Sequence, residues 1–224
     1  MRLPRPLLAA ILVGGLVASA LTGSRLAAQA LSLKDFVRQV HYHGVSYSEA
    51  RRYPGSAVPA LLRMLADPAD APHWTNIVAV LGIIGDESVV ARLIAFARQG
   101  SGILTPDEYR AKSTVLIALG YVANHTRSRA ALDYLLASAN PEAWNARALR
   151  WSSPFHATPA ARNARLSSTA LLGLALSGAP AAGNLLRSLA TGARSPPAQQ
   201  AFAEFRTIAR LGLTGYYARP AIRE

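Results

Sequence analysis

The sequence predicts an all-α fold: a right-handed α-solenoid (alpha-alpha superhelix) of about four helical hairpins with one inserted helix-loop. Three observations predict it. The chain is rich in Ala, Leu and Arg, 51% hydrophobic and only 7% aromatic, and those three residues are strong helix formers. Apolar residues recur at helical spacing between Pro, Gly and Asp punctuation. A Leu-Gly pair returns at 81–82, 119–120, 172–173 and 211–212, with spacings of 38, 53 and 39. A period of roughly 40 residues with two helices per unit is the pattern of stacked helical repeats. An ordinary helical bundle explains the stripes but not the near-regular spacing.

Residues 1–30 read as a signal peptide. Met1–Arg5 is a short basic segment, Pro6 to Gly23 is uncharged and largely apolar, and Ala28-Gln29-Ala30 is a small-x-small cleavage signal, with Ala18-Ser19-Ala20 as a second. Cleavage makes the protein periplasmic or secreted. A retained segment, about long enough to span a bilayer, anchors it in the inner membrane instead. Cysteine is absent, which removes disulfides, thiolate metal sites and a cysteine nucleophile. The domain therefore relies on its apolar core.

Residues 31–55 form an N-terminal helical cap. Ser32 and Asp35 begin one helix with Leu33, Phe36, Val37 and Val40 on a face, ended by Gly44. Ser46 and Glu49 mark a second, 46–53. The repeat region, 56–215, opens with a helix over 56–65 striped by Val58, Leu61, Leu62 and Leu65. Asp67-Pro68 breaks it and Asp70 caps a helix running through Trp74 and Leu81 to Gly85. Asp86 or Ser88 starts the next, with Val89, Val90, Leu93, Ile94 and Phe96. Gly100-Ser101-Gly102 is a loop. Thr105-Pro106-Asp107-Glu108 is the strongest helix start in the chain: Thr caps, Pro takes the first helical position and the acids complement the dipole. Helices over 129–137 and a short one over 143–150 follow, then a loop at 151–158. Thr158-Pro159 caps a long helix ended by Gly178. Helices over 181–190 and from Ser195 complete the region, and 216–224 is a tail. Residues 138–158 break the rhythm and count as an insertion.

Each Leu-Gly pair falls near the end of a second helix and is followed by Gly85, Asn124, Gly178 or Gly215. A mid-helix glycine costs about 1 kcal/mol and is tolerated where a neighbouring helix must approach closely. The following Gly or Asn is expected to turn left-handed and end the helix. Ala57–Ile94 carries these marks most fully: Val58-Pro59-Ala60-Leu61-Leu62, Asp67-Pro68, and Leu81-Gly82-Ile83-Ile84-Gly85-Asp86. The stretch resembles the HEAT and HEAT-like repeat family, as in an exported bacterial HEAT-repeat protein. The resemblance covers roughly 56–215 and weakens toward the C-terminus. It implies a non-enzymatic protein-protein interaction scaffold with no cofactor.

No HExxH, GxSxG, P-loop or GxGxxG occurs. Asp86-Glu87 and Asp107-Glu108 sit at helix starts, where acids serve the dipole. His41 and His43 are two apart, and His73, His125 and His156 are isolated at element ends, so no metal set is indicated. Charge is uneven. Net charge is +12, and residues 147–224 hold 10 Arg against Glu204 and Glu224 alone, whereas 31–146 hold 11 basic and 10 acidic residues. A basic half suits an anionic partner: an envelope polymer, an acidic lipid or membrane surface, with nucleic acid not expected after export. Genome-wide preference for Arg explains the bias equally. The candidate contact surface is Trp144, Arg147, Arg150, Trp151, Phe155, Arg162 and Arg165. On one helix Trp144, Arg147 and Trp151 share a face, and Trp and Arg dominate binding hot spots. The alternative is that both Trp rings pin the insertion to the core.

Overall fold

The computed structural model describes residues 31–42, 44–147, 149–192 and 195–219. The expected leader and His43 lie outside these. Helix dominates, and the described residues are all-α apart from one two-residue strand pair. The helices are α1 (Leu33–Arg38), α2 (Tyr47–Ala50), α3 (Val58–Ala66), α4 (Trp74–Ile84), α5 (Ser88–Arg98), α6 (Pro106–Thr126), α7 (Arg129–Ser138), α8 (Ala143–Ala146), α9 (Pro159–Ser177), α10 (Pro180–Gly192) and α11 (Pro196–Tyr217). No helix among the described residues is long and apolar enough to cross a membrane.

The caps act where the sequence puts them. Thr105 accepts from the Glu108 amide at 3.2 Å, and Glu108 accepts from the Thr105 amide at 2.8 Å, so both halves of a capping box hold the start of α6. Thr158 accepts from the Ala161 amide at 3.2 Å above Pro159 in α9. Ser32 accepts from the Asp35 amide at 3.1 Å in α1.

Four helices pack in succession, α4 on α6, α6 on α9 and α9 on α11. α3, α5, α7 and α10 pack on α4, α6, α9 and α11 respectively. Glycine sets the closest approaches. A Cβ on Gly82 would overlap Ala118 of α6, and one on Gly120 would overlap the Gly173 carbonyl of α9. One on Gly173 would overlap the Leu116 carbonyl. Three of the four Leu-Gly pairs therefore sit where helix backbones touch.

The fourth does not. Gly212 has φ +65°, ψ 170° and nothing within 4 Å of a Cβ. It kinks α11, whose last turn carries Tyr217 onto Tyr47 of α2, rings stacked at 4.9 Å, and into a hydroxyl–hydroxyl bond with Tyr121 of α6. The expected tail thus begins as packed helix.

The helix ends differ from expectation. Of the four expected terminators only Gly178 is left-handed (φ +60°). Gly85 is extended, and its lack of a Cβ is required by the Leu81 carbonyl and the Val89 methyls. Asn124 lies inside α6, which ends at left-handed Arg127, and its amide donates to the Leu176 carbonyl of α9 at 3.0 Å. Gly215 lies inside α11. Helix α1 stops at Arg38, leaving Val40 exposed, because Asn76 of α4 donates to the Val37 and Gln39 carbonyls at 2.9 and 3.1 Å. Asp70 is no cap. It is buried and accepts from Arg38 Nε and Nη2 at 3.1 and 2.5 Å.

A candidate ligand groove between the long helices

The inserted segment is shorter in helix than expected. Helix α8 is one turn, and Trp151 lies in β2 (Trp151–Ser152), which pairs in parallel with β1 (Gly102–Ile103) from the expected loop. The Gly102 amide donates to the Arg150 carbonyl at 3.0 Å and the Leu104 amide to the Ser152 carbonyl at 3.1 Å. Two extended segments thereby satisfy each other's backbone. Trp144, Arg147 and Trp151 therefore share no helix face.

Both rings are interior. Trp144 is 2% exposed, and its Nε1 donates to the Ser138 carbonyl at 3.0 Å and the Ser167 hydroxyl at 3.2 Å. Trp151 is 1% exposed and donates to the Ala97 carbonyl of α5 at 3.1 Å. Arg147 lies half-buried between the Trp144 and Tyr134 rings, 4.3 and 4.2 Å away, and donates to the Ser138 hydroxyl at 2.8 Å. Arg162 is 6% exposed and donates to the Trp151 carbonyl and to Asn163 Oδ1. Burial pushes both guanidinium pKa values below the ordinary value. These four residues tie the insertion to α7, α9 and α5. Arg150 is exposed.

Phe155 and Arg165 point to a different feature. With His156 they line a groove of about 780 Å³, within the roughly 300–1,000 Å³ range of ligand clefts. One wall is α6, with Tyr109, Arg110, Ser113, Thr114 and Ile117. The other is α9, with Arg165, Ser168, Thr169 and Leu172. The start of α11 and Thr75 of α4 complete it. Positions i, i+4 and i+8 on α6, and i, i+3, i+4 and i+7 on α9, put each set on one helix face. The groove lies on the N-terminal side of the Gly120–Gly173 contact, where α6 and α9 are held closest.

The lining is apolar and hydroxylic, with two guanidinium groups and, among the described residues, no carboxylate. Arg110 is paired with Asp107 at 3.0 Å and lies 5.6 Å from the Phe155 ring. Phe155, 52% exposed, meets the edge of Tyr109 at 5.6 Å. His156 Nδ1 lies 2.8 Å from the Ser153 hydroxyl. Such a surface can hold a ligand by apolar contact and hydrogen bonding. The α6 wall was not singled out from the sequence. Its signal was present: Tyr109, Ser113 and Ile117 at i, i+4 and i+8, beside the stripe of Val115, Leu116, Leu119 and Val122.

Neither a family model, nor a curated protein, nor a solved structure matches the chain.

Proposed function

We propose that the protein is an exported, non-enzymatic binding module, a HEAT-like right-handed solenoid of about four hairpins whose groove receives an acidic segment of another protein. The hairpins are α3–α4, α5–α6, α7–α9 and α10–α11, with α8 and β2 as the insertion. The succession of α4, α6, α9 and α11, with glycine at the first two crossings, supports that architecture. The single observation behind the function is the groove. Two neighbouring helix faces line it with Arg110 and Arg165 and, among the described residues, no acid. Charge complementarity of this kind selects partners and speeds their encounter.

An array of immobilised 12-residue peptides graded in Asp and Glu content, probed with the full-length protein, tests it. Binding is expected to rise with acid content, to weaken steeply with salt, and to fall roughly tenfold or more on Arg165→Glu. Binding indifferent to acid content, or unchanged by Arg165→Glu, overturns the reading. The alternative partner, an anionic envelope polymer or lipid surface, draws on the wider Arg-rich half, where Arg150, Arg165, Arg187, Arg206 and Arg210 are exposed. Arg147 and Arg162 do not add to that surface, because their guanidinium groups are committed to the interior.

A further inference from the structure

The hydroxyls on the α6 and α9 walls fall into two groups. Thr114, Ser168 and Thr169 donate to the carbonyls four residues back, Arg110, Ala164 and Arg165, at 2.9, 3.0 and 3.1 Å. Their protons are taken by their own helices. Tyr109 and Ser113 differ. Both hydroxyl oxygens are buried without a hydrogen-bond partner among the described residues, and Tyr109 is 5% exposed overall. They stand at i and i+4 on the α6 wall, so two uncommitted donors share one face. Across the groove, the Arg165 guanidinium is exposed and has no hydrogen-bond or ion-pair partner among the described residues.

We propose that Tyr109, Ser113 and Arg165 form a subsite for one carboxylate of the ligand. This deepens the groove reading above and rests on it. Three free donors and no charged acceptor demand a group that only accepts, and an ionised carboxylate does so at both oxygens. Asp107 pairs with Arg110, which leaves Arg165 as the unpaired guanidinium of the lining among the described residues, and one guanidinium matches a monoanion. A phosphate dianion finds a single free guanidinium. Ile117, Leu172 and Phe155 beside the donors take an apolar group attached to the carboxylate. Both hydroxyl oxygens are closed to solvent, and the proposed subsite forms when the Phe155 ring, which rests on Tyr109 and beside Arg110, is displaced. The carboxylate can come from a chain terminus or from an acidic side chain.

Amide chemical shifts of the full-length, 15N-labelled protein, titrated with three probes, decide the matter. N-acetyl-leucine offers a terminal carboxylate, N-acetyl-glutamate α-amide a side-chain carboxylate, and N-acetyl-leucinamide none. At least one carboxylate probe is expected to shift residues 109–117 and 165–172 saturably, with the amide silent there. The stronger of the two carboxylates identifies the source. Tyr109→Phe with Ser113→Ala, which removes two oxygens and little else, is expected to weaken that probe about tenfold. Arg165→Gln is expected to do as much. Equal binding of the leucinamide overturns the subsite, as does binding sensitive to Arg165 but indifferent to the hydroxyl pair. Shifts confined to other surfaces, or none, overturn it too. The peptide array reads the groove's preference for acidic segments independently, so failure here with success there removes the subsite and leaves the groove.

Discussion

Gly120 and Gly173 carry the tightest contact between α6 and α9. A methyl at either position meets a backbone carbonyl, which cannot swing aside as a side chain does. Gly120→Ala or Gly173→Ala is expected to lower stability by about 1–3 kcal/mol in chemical denaturation. Gly192→Ala, with nothing within 4 Å, is expected to be neutral or stabilising by up to about 1 kcal/mol. Arginines of the same half divide just as sharply. Arg162→Met removes the donor to the buried Trp151 carbonyl and is expected to cost about 1–3 kcal/mol. Arg165→Met is expected to stay within about 0.5 kcal/mol, because that guanidinium holds nothing in the fold. Equal costs at the two positions would erase the distinction between architectural and available arginines.

Helix α6 is the element on which the others meet: it packs on α4, α5, α7 and α9 and forms one wall of the groove. Its start depends on a local device. Thr105→Ala leaves the Glu108 amide without its cap and is expected to cost about 1 kcal/mol. The groove opens among the first three turns of that helix, so the same change is expected to weaken ligand binding while Ser32→Ala, at the remote cap of α1, does not. Amide exchange of residues 106–114 in Thr105→Ala measures the fraying directly. The inserted segment is an element of the opposite kind. With one helical turn, it is held by Trp144, Arg147, Trp151 and Arg162 reaching into its neighbours.

Stability of the whole molecule is expected to follow two opposing alkaline titrations. Lys112 is buried, donates to the Phe96 carbonyl at 2.7 Å, and burial lowers its pKa to about 8. From about pH 8 to the ordinary lysine value, the unfolded chain holds a proton that the folded chain has shed, so stability rises with pH through that window. The tyrosines act in the other direction. Burial raises Tyr121 to about 12 and also raises Tyr217. Above about pH 10 the unfolded tyrosines ionise first and stability falls. Thermal melts across pH 7 to 11 are expected to show a rise followed by a fall. Lys112→Met abolishes the rise, and Tyr217→Phe softens the fall. A rise that persists in Lys112→Met would assign it to another group. The Tyr47–Tyr121–Tyr217 cluster links α2, α6 and α11, so Tyr217→Phe also tests how much the last helical turn contributes to holding the N-terminal segment.

Local chemistry was readable in order along the chain. Thr105-Pro106-Asp107-Glu108 specifies a helix start without any neighbour, because the cap, the proline and the dipole act within one turn. Leu-Gly pairs announced close helix contacts at three positions for the same reason: a buried mid-helix glycine needs a packing cause. What depended on distant partners was not readable. Asn76 ends α1 from 37 residues away, and Asp70 finds Arg38 rather than an amide. Gly212 bends a helix because Tyr217 has a place to go. Trp144 and Trp151 read either as a recognition surface or as pins for the insertion, since residue type and spacing are the same whether a ring faces a partner or a core. Only tertiary packing decided that they face inward, and that an uncharged row of hydroxyls on α6 lines the same groove as Arg165 of α9. A groove belongs to two helices at once, and periodicity along one helix carries no record of which face the next will present.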